Sequence, residues 1–200
     1  MVRDQIRSRG ILDARVLDVM ARVPRHFFVP GSDREDAYAD EPLPVGHGQT
    51  ISQPYIVAYM TEALGLKPPD RVLEIGTGTG YQTAVLAAMV REVYTVELLE
   101  PLARAAVGRL RELRYSNVFF RTGDGWDGWP EAAPFDKVIV TAAAPEVPHA
   151  LIDQLREGGR LVIPVGCESQ EIVIGEKNHG ILKEDRKIAV RFVPLVRPGR

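Results

Sequence analysis

The chain has 200 residues, of which 45% are hydrophobic, and its 25 basic and 27 acidic residues leave a formal net charge of -2. This near balance excludes the strongly basic surface of a nucleic-acid-coating protein and gives no sign of a membrane-surface protein. Charges interrupt every apolar run before the roughly 20 residues that a membrane helix needs, and the N-terminus lacks the apolar region of a signal peptide. We therefore expect one cytoplasmic domain, a monomer, with neither nucleic acid nor membrane as a partner.

The cysteine and histidine content bears on metals and disulfides. The single cysteine, Cys167, excludes an internal disulfide, and no cluster of Cys or His has the spacing of zinc ligands. We therefore expect a fold that depends on neither a metal nor a disulfide.

The first third of the chain predicts two helices separated by irregular segments. Apolar residues recur with helical spacing from Asp13 to Val23, where Pro24 ends the pattern. The stretch 40–46 is rich in turn formers and helix breakers, so we expect an irregular loop there, and loops of that length are often functional. Pro54 can begin a second helix that runs to about Leu64.

Beyond Pro69, strand patterns and helix patterns alternate, which predicts a doubly wound, mostly parallel α/β sheet. The predicted strands are Arg71–Ile75, Glu92–Glu97, Val118–Thr122, Lys137–Thr141 and Arg160–Pro164, and the predicted helices are Tyr81–Val90, Pro101–Leu113 and Pro148–Arg156. Segments 170–176 and 187–194 flank the turn formers Asn178-His179-Gly180 and predict a C-terminal antiparallel strand pair. We expect residues 1–68 to be a helical and loop elaboration that covers a core formed by residues 69–200.

A glycine-rich turn, Gly76-Thr77-Gly78-Thr79-Gly80, directly follows the predicted strand 71–75. Glycine has no Cβ and tolerates positive φ, so backbone can approach a ligand closely there, and the turn predicts a nucleotide-type pocket. The dinucleotide fingerprint needs glycines spaced as G-x-G-x-x-G, which these are not, so NAD is disfavoured. The acidic Glu74 followed by G-x-G-x-G resembles motif I of class I S-adenosylmethionine-dependent methyltransferases.

Two further acidic residues end neighbouring predicted strands, where an open parallel sheet binds its ligand. Glu97 lies about 20 residues past the turn, the separation expected of a carboxylate that accepts both ribose hydroxyls. Asp124 could accept from an adenine amino group while Gly125 lets the ring lie against backbone. Glu97 could instead cap the following helix, and 123–125 could be an ordinary turn. Glu74 could orient the glycine turn or reach the cofactor, or it could be a buried acid bonded to loop amides.

The segment Gly48-Gln49-Thr50-Ile51-Ser52-Gln53-Pro54 closely resembles the signature of the protein-L-isoaspartate (D-aspartate) O-methyltransferases. The resemblance covers nearly the whole chain and includes Val23-Pro24-Arg25, Phe28-Val29-Pro30, Ala37-Tyr38, Leu43-Pro44, Val72 to Tyr81, Gly123-Asp124-Gly125, Ala142 to Pro145, Leu151 to Leu155, Gly158 to Gly166 and Phe192 to Leu195. It implies transfer of a methyl group from S-adenosylmethionine to the free carboxylate of L-isoaspartyl or D-aspartyl residues in damaged proteins. The ester then closes to a succinimide, whose hydrolysis returns some normal aspartate.

The resemblance also implies roles for individual residues. Ser52 is the candidate catalytic residue, with its hydroxyl donating to the acceptor carboxylate, although serine could also cap the helix that begins near Pro54. The backbone of 192–195 could bind an extended peptide, or form a core strand. His47 departs from the hydrophobic residue expected between the two loop glycines. The expected cofactor-binding residues are Thr50, Ile51, Ser52, Gln53, Glu74, Gly76, Thr77, Gly78, Thr79, Gly80, Glu97, Leu98, Asp124, Gly125 and Thr141, and the expected acceptor-binding residues are Thr50, Ile51, Ser52 and Val193.

Two other functions remain as alternatives. The first is a methyltransferase acting on RNA or a small molecule, but Thr141-Ala142-Ala143-Ala144-Pro145 has no aromatic side chain to stack on a base where amino-methylating nucleic-acid enzymes carry one. The charge balance also lacks the basic patch of a tRNA-binding protein. The second is a non-catalytic nucleotide-binding module, which would need the glycine turn but not the 49–54 loop.

Overall fold

A seven-stranded sheet lies at the centre of the protein, whose computed structural model describes residues 1–197 without the side chains of residues 186 and 187. Its strands are β3 Arg71–Ile75, β4 Glu92–Glu97, β5 Val118–Thr122, β6 Phe135–Val140, β7 Leu155–Val165, β8 Gln170–Asn178 and β9 Ile181–Val190. They lie in the order β5-β4-β3-β6-β7-β8-β9; the first five of this order are parallel, and β8 and β9 are each antiparallel to the strand before them. The doubly wound α/β prediction with a C-terminal antiparallel pair is confirmed.

Helices and apolar clusters cover both faces of the sheet, which is why the central strands read as continuous apolar runs. The helices are α1 Ala14–Arg22, α2 Pro54–Leu64, α3 Tyr81–Ala87, α4 Glu100–Glu112 and α5 His149–Gln154. Asp13 caps α1 by accepting from the amides of Arg15 and Val16. Pro54 is the first residue of α2, and Gly65 ends it in the left-handed conformation.

The segment that we expected to be an irregular loop instead begins a hairpin. Strand β1, Leu43–Gly46, pairs antiparallel with β2, Gln49–Ile51. The turn between them has φ of 89° at Gly46, 53° at His47 and 70° at Gly48. Glycines on both sides make this left-handed turn accessible, and the turn formers that suggested irregular backbone in fact join two strands.

The final strand also differs from its predicted range. The turn at His179 and Gly180 pairs Asn178 directly with Ile181, so β9 begins at once and ends at Val190 rather than running from 187 to 194. Residues beyond β9 leave this hairpin and run beside Ala143, where Val193 and Leu195 exchange backbone hydrogen bonds with it. The chain end is thereby brought to the carboxyl edge of the parallel strands.

Within residues 1–197, no helix is long and apolar enough to cross a membrane. No group of three or more His, Cys, Asp or Glu side chains in that part of the chain is arranged to hold a metal ion.

Candidate active site

A cavity of about 210 Å³ opens at the carboxyl ends of β3, β4 and β6. The β1–β2 hairpin, one face of α2, the glycine turn, the ends of β4 and β6 and the segment after β9 all contribute to its lining. Of the predicted cofactor-binding residues, the cavity is lined by Thr50, Ile51, Ser52, Gly76, Thr77, Gly78, Thr79, Glu97, Leu98, Gly125 and Thr141. We call this space the donor cavity, after the methyl donor that the family resemblance predicts for these residues.

The glycine turn leads into the N-terminus of α3, with φ of +93° at Gly76, +54° at Gly78 and +90° at Gly80. A Cβ on Gly76 would collide with the Thr141 hydroxyl, which donates to the carbonyls of Gly76 at 2.7 Å and Ile75 at 3.1 Å. Gly80 packs against Leu110 on α4 and lies outside the described lining of the cavity. The turn therefore depends on glycine for both its conformation and its close contact with the end of β6.

Glu97 is the acidic side chain among the described residues that line the donor cavity. Its Oε2 accepts from the Gly78 amide at 2.7 Å and its Oε1 from the Leu99 amide at 3.0 Å. Leu99 is the residue before α4, so the second bond agrees in part with the alternative that Glu97 caps this helix. A carboxylate has about four acceptor positions, so roughly two remain for a ligand hydroxyl pair.

Asp124 and Gly125 are neighbours in the chain, but only one of them lies in the described lining of the donor cavity. Gly125 lines the donor cavity, and a Cβ there would collide with Ile75. Asp124 lies outside the described lining, with Oδ1 accepting from the Trp126 amide at 2.9 Å and Oδ2 paired with Arg197 at 3.2 Å. The Asp124 carboxylate thus forms the turn that the sequence left as an alternative, and its Arg197 partner was not foreseen.

Glu74 is fully buried and also lies outside the described lining of the cavity. Its Oε2 accepts from the hydroxyls of Thr83 and Thr95, both at 2.6 Å, whereas Oε1 has no partner within the described part of the chain. Burial raises the pKa of this carboxyl to about 8, against the opposing effect of the two hydroxyl bonds. The Thr95 hydroxyl also contacts that of Thr77, so Glu74 reaches the glycine turn through threonines rather than loop amides.

A second cavity, of about 250 Å³, adjoins the first, and we call it the acceptor cavity after the methyl acceptor that the resemblance predicts near Ser52. The two share Thr50, Ser52, Ile56, Thr141 and Val193. The Ser52 hydroxyl makes no hydrogen bond with any residue in the described range, and the first free amide of α2, that of Tyr55, bonds to Asp40. Ser52 therefore does not cap α2, and its hydroxyl is available on the wall between the cavities.

Gln53 and the segment 192–195 make contacts that the sequence did not indicate. The Gln53 side chain lines the acceptor cavity rather than the donor cavity, and it donates to the Asp40 carboxylate and carbonyl. Most backbone groups of 192–195 are already bonded, to Ala143, to the Gln170 side chain and to the indole of Trp126. The Val193 amide is the N–H of this segment that has no partner among the described residues.

Several lining residues were not identified from the sequence. The donor cavity has an apolar floor of Ile56, Val57 and Met60 from α2, together with Tyr81 and Leu102. The apolar face of α2 is visible in the sequence, but it reads as packing against the core. His47 also lines the donor cavity, and Arg191 is the cationic residue in the described lining of the acceptor cavity.

Known proteins are similar in sequence to this chain over almost its whole length. The family described as Protein-L-isoaspartate(D-aspartate) O-methyltransferase matches residues 1–199. A protein-L-isoaspartate O-methyltransferase of Opitutus terrae is 56% identical over 199 residues, which are 98% of this chain and 85% of that one. A relative from Gloeobacter violaceus with the same name is 53% identical, over 98% and 97% of the two chains.

Solved structures give the same result. A protein-L-isoaspartate O-methyltransferase superposes with a TM-score of 0.86 at 32% identity, over 94% of this chain and 62% of that longer chain. A structure described as a protein-L-isoaspartate O-methyltransferase beta-aspartate methyltransferase from Plasmodium falciparum, in complex with S-adenosyl-L-homocysteine, gives a TM-score of 0.85 at 29% identity over 96% and 94% of the chains. The predicted resemblance is confirmed, and the chain belongs to the protein-L-isoaspartate(D-aspartate) O-methyltransferase family.

Proposed function

We propose that this protein transfers the methyl group of S-adenosylmethionine to the free carboxylate of L-isoaspartyl and D-aspartyl residues in damaged proteins. The ester product closes without the enzyme to a succinimide, whose hydrolysis returns some normal aspartate. The observation that carries the proposal is the Ser52 hydroxyl, which has no hydrogen-bond partner among the described residues and belongs to a residue that lines both adjoining cavities. One cavity can hold a methyl donor and the other a carboxylate acceptor, with Ser52 between them.

The residues of the donor cavity fit the cofactor. The positive-φ glycines at 76 and 78 let backbone approach a ligand, and Gly125 leaves space that a side chain would fill. Glu97 retains acceptor capacity for ribose hydroxyls, and Leu98 and Thr141 line the same space. When bound, S-adenosylmethionine supplies a sulfonium methyl group, and Glu97 places a negative charge in the same cavity.

The acceptor cavity suits an anionic group on an extended chain. The Ser52 hydroxyl can donate to one carboxylate oxygen, and the Val193 amide, which has no partner among the described residues, can donate to a second acceptor. Thr50 also lines this cavity, whereas Ile51, which was expected to contact the acceptor as well, is in the described lining of the donor cavity. Arg191 adds a positive charge to this cavity, complementary to the acceptor, whereas the donor cavity carries the negative Glu97.

The chemistry needs positioning more than acid–base catalysis. A carboxylate with a pKa of about 4 is already ionised at neutral pH, so no strong general base is required. Attraction between the anionic acceptor and the cationic donor declines as transfer proceeds, so alignment of the reacting atoms is expected to supply most of the acceleration. Ser52 and the hairpin that carries it perform this alignment by orienting one acceptor oxygen.

We further propose that the chain acts as a single-domain cytoplasmic monomer, in which residues 1–68 cover the core formed by residues 69–200. The first 68 residues supply the hairpin and α2 to both cavities, so this region contributes to the site and not only to stability.

The test uses purified protein, a radiolabelled methyl donor and paired peptides that differ only in an aspartyl or isoaspartyl linkage. We expect label in the isoaspartyl peptide alone. Equal labelling of both peptides, or of neither, would contradict the proposal. A parallel reaction with tRNA distinguishes the nucleic-acid alternative, for which the described Thr141 to Pro145 segment has no aromatic side chain to stack on a base.

A further inference from the structure

Asp40 connects the N-terminal part of the chain to the segment that carries Ser52. Its Oδ2 accepts from the Arg9 guanidinium at 2.6 Å and from the side-chain amide of Gln53 at 2.8 Å. Its Oδ1 accepts from the backbone amide of Tyr55 at 3.1 Å. The Asp40 carbonyl accepts a further bond from the Gln53 side chain at 2.8 Å. One acidic residue thus holds the residues on both sides of Pro54.

These contacts replace a local helix cap. Gln53 is the residue before α2, but its side chain makes no cap bond, and Pro54 has no N–H to donate. The first donor of the helix is therefore the Tyr55 amide, and it is satisfied by a carboxylate 15 positions upstream. A negative charge at this end of a helix is also favourable for the helix dipole. Arg9 reinforces the junction, because its guanidinium lies 3.5 Å from the Tyr55 ring centroid.

The short segment 40–43 fixes both neighbours of Ser52. Leu43 pairs with Ile51 in the β1–β2 hairpin, and Asp40 holds Gln53. Ser52 lies between these two fixed residues, and its own hydroxyl has no partner in the described range that would orient it. Its position relative to the two cavities therefore depends on the attachments at 51 and 53.

We propose that Asp40 is a positioning residue for methyl transfer, acting through Gln53 to place Ser52 against the acceptor carboxylate. Arg9 holds the Asp40 carboxylate in the geometry that Gln53 needs. This inference rests on the proposed function, and it assigns to Asp40 and Arg9 a role that contact with the ligands does not require.

The primary test is Asp40→Asn, which keeps the size of the side chain but replaces one acceptor oxygen with a donor. We expect kcat/KM for an isoaspartyl peptide to fall about tenfold, because small displacements of a positioned group have large effects on rate. Calorimetry should give a Kd for S-adenosylhomocysteine within about twofold of wild type, since Asp40 and Gln53 both lie outside the described lining of the donor cavity.

The matched control is Asp18→Asn. Asp18 also forms a 2.6 Å ion pair, with Arg22 on the exposed surface of α1, but it has no described contact with the 49–55 segment. We expect its kcat/KM to stay within about twofold of wild type. Arg9→Gln, which leaves the Asp40 bonds to Gln53 and Tyr55 available, should give a loss between those of Asp18→Asn and Asp40→Asn.

A double-mutant cycle separates positioning from general destabilisation. Gln53→Ala removes the same hydrogen bonds from the other side and leaves the Tyr55 contact in place, so it should reproduce most of the loss in kcat/KM. The Asp40→Asn and Gln53→Ala variant should then lose little more than either alone. Because Gln53→Ala spares the helix contact, it also serves if Asp40→Asn does not fold.

Three results would overturn the inference: kcat/KM of Asp40→Asn within twofold of wild type, full activity of Gln53→Ala, or losses that add in the double variant. Failure of the proposed function would look different, since wild-type protein would then not distinguish isoaspartyl from aspartyl peptides.

Discussion

The donor and acceptor cavities share a wall but are built from different parts of the protein. The donor cavity lies at strand ends that are connected by backbone hydrogen bonds, such as Gly76 to Val96 and Thr141 to Ile75. The acceptor cavity is lined largely by the β1–β2 hairpin and the segment after β9, where polar side chains supplement the backbone bonds of Val193 and Leu195 to Ala143. Asp40 holds the hairpin side through Gln53, and Gln170 holds the backbone of Phe192 with two bonds.

Because of this difference, the two cavities should tolerate different kinds of substitution. Sheet register positions the donor side, so most side-chain substitutions there should affect only the contacts they make, whereas an added Cβ in the glycine turn affects the backbone itself. Individual side chains position the acceptor side, so a single polar substitution should alter alignment without disturbing the sheet. The following substitutions test this contrast.

The largest effect is expected from Gly76→Ala on the donor side. Its Cβ would collide with Thr141, whose hydroxyl bonds to two carbonyls, and its φ of +93° is strained for alanine. We expect loss of S-adenosylhomocysteine binding in calorimetry and a fall of about 3 kcal/mol in the free energy of unfolding by chemical denaturation.

Gly10→Ala is the control for that substitution. Gly10 has nearly the same φ, +97°, but nothing lies within 4 Å of the position of its Cβ. This variant should lose only the conformational cost of about 1 kcal/mol and bind the cofactor product normally. Equal destabilisation in both variants would mean that the contact with Thr141 is unimportant.

Ser52→Ala should have the next largest effect, confined to transfer. A hydrogen bond to a charged acceptor contributes roughly 1.5–3 kcal/mol, so kcat/KM for the isoaspartyl peptide should fall about 10- to 100-fold. The Kd of S-adenosylhomocysteine should change little. If it rose in parallel with the loss of activity, Ser52 would belong to the donor side instead.

Asp124→Ala should weaken binding on the donor side by about tenfold, the value of one hydrogen bond of about 1.4 kcal/mol. Its carboxylate supports the turn that carries Gly125, and we propose that it also accepts from the adenine amino group. Asp127→Ala is the control, because Asp127 shares the Arg197 partner at 3.6 Å but is largely exposed. Equal Kd values for wild type and Asp124→Ala would rule out the adenine assignment.

The contrast also explains which features could be predicted from the sequence. The parallel strands, the glycine turn and the strand-end position of Glu97 are local patterns, since spacing along the chain decides them. The destinations of the Asp124 and Glu74 side chains are not local, because their partners, Arg197 in one case and Thr83 and Thr95 in the other, come from separate elements. Binding roles for these residues therefore stay predictions.

The acceptor side was less accessible to residue-by-residue reasoning. Ser52 was identified from the family resemblance, and no spacing rule indicates that the Tyr55 amide bonds to Asp40 rather than to the Ser52 hydroxyl. The β1–β2 hairpin was missed because Pro44 and the surrounding turn formers favour irregular backbone, whereas Gly46 and Gly48 in fact permit a tight left-handed turn.

Glu74→Gln should have the smallest effect on transfer, because Glu74 lies outside the described lining of both cavities. Its effect should appear instead in the pH dependence of stability. The carboxyl has a raised pKa of about 8 in the folded protein, compared with 4.5 for a free side chain, so the folded state holds the proton more tightly. Its contribution to stability is thus fully present below about pH 4.5 and is lost as the pH rises through about 8.

Denaturation of wild type across this range should show a decline in the free energy of unfolding that is smaller in Glu74→Gln. Identical slopes would mean that the carboxyl is ionised in the folded protein at neutral pH, and the donor side would then contain two buried negative charges, on Glu74 and Glu97, to attract a cationic ligand.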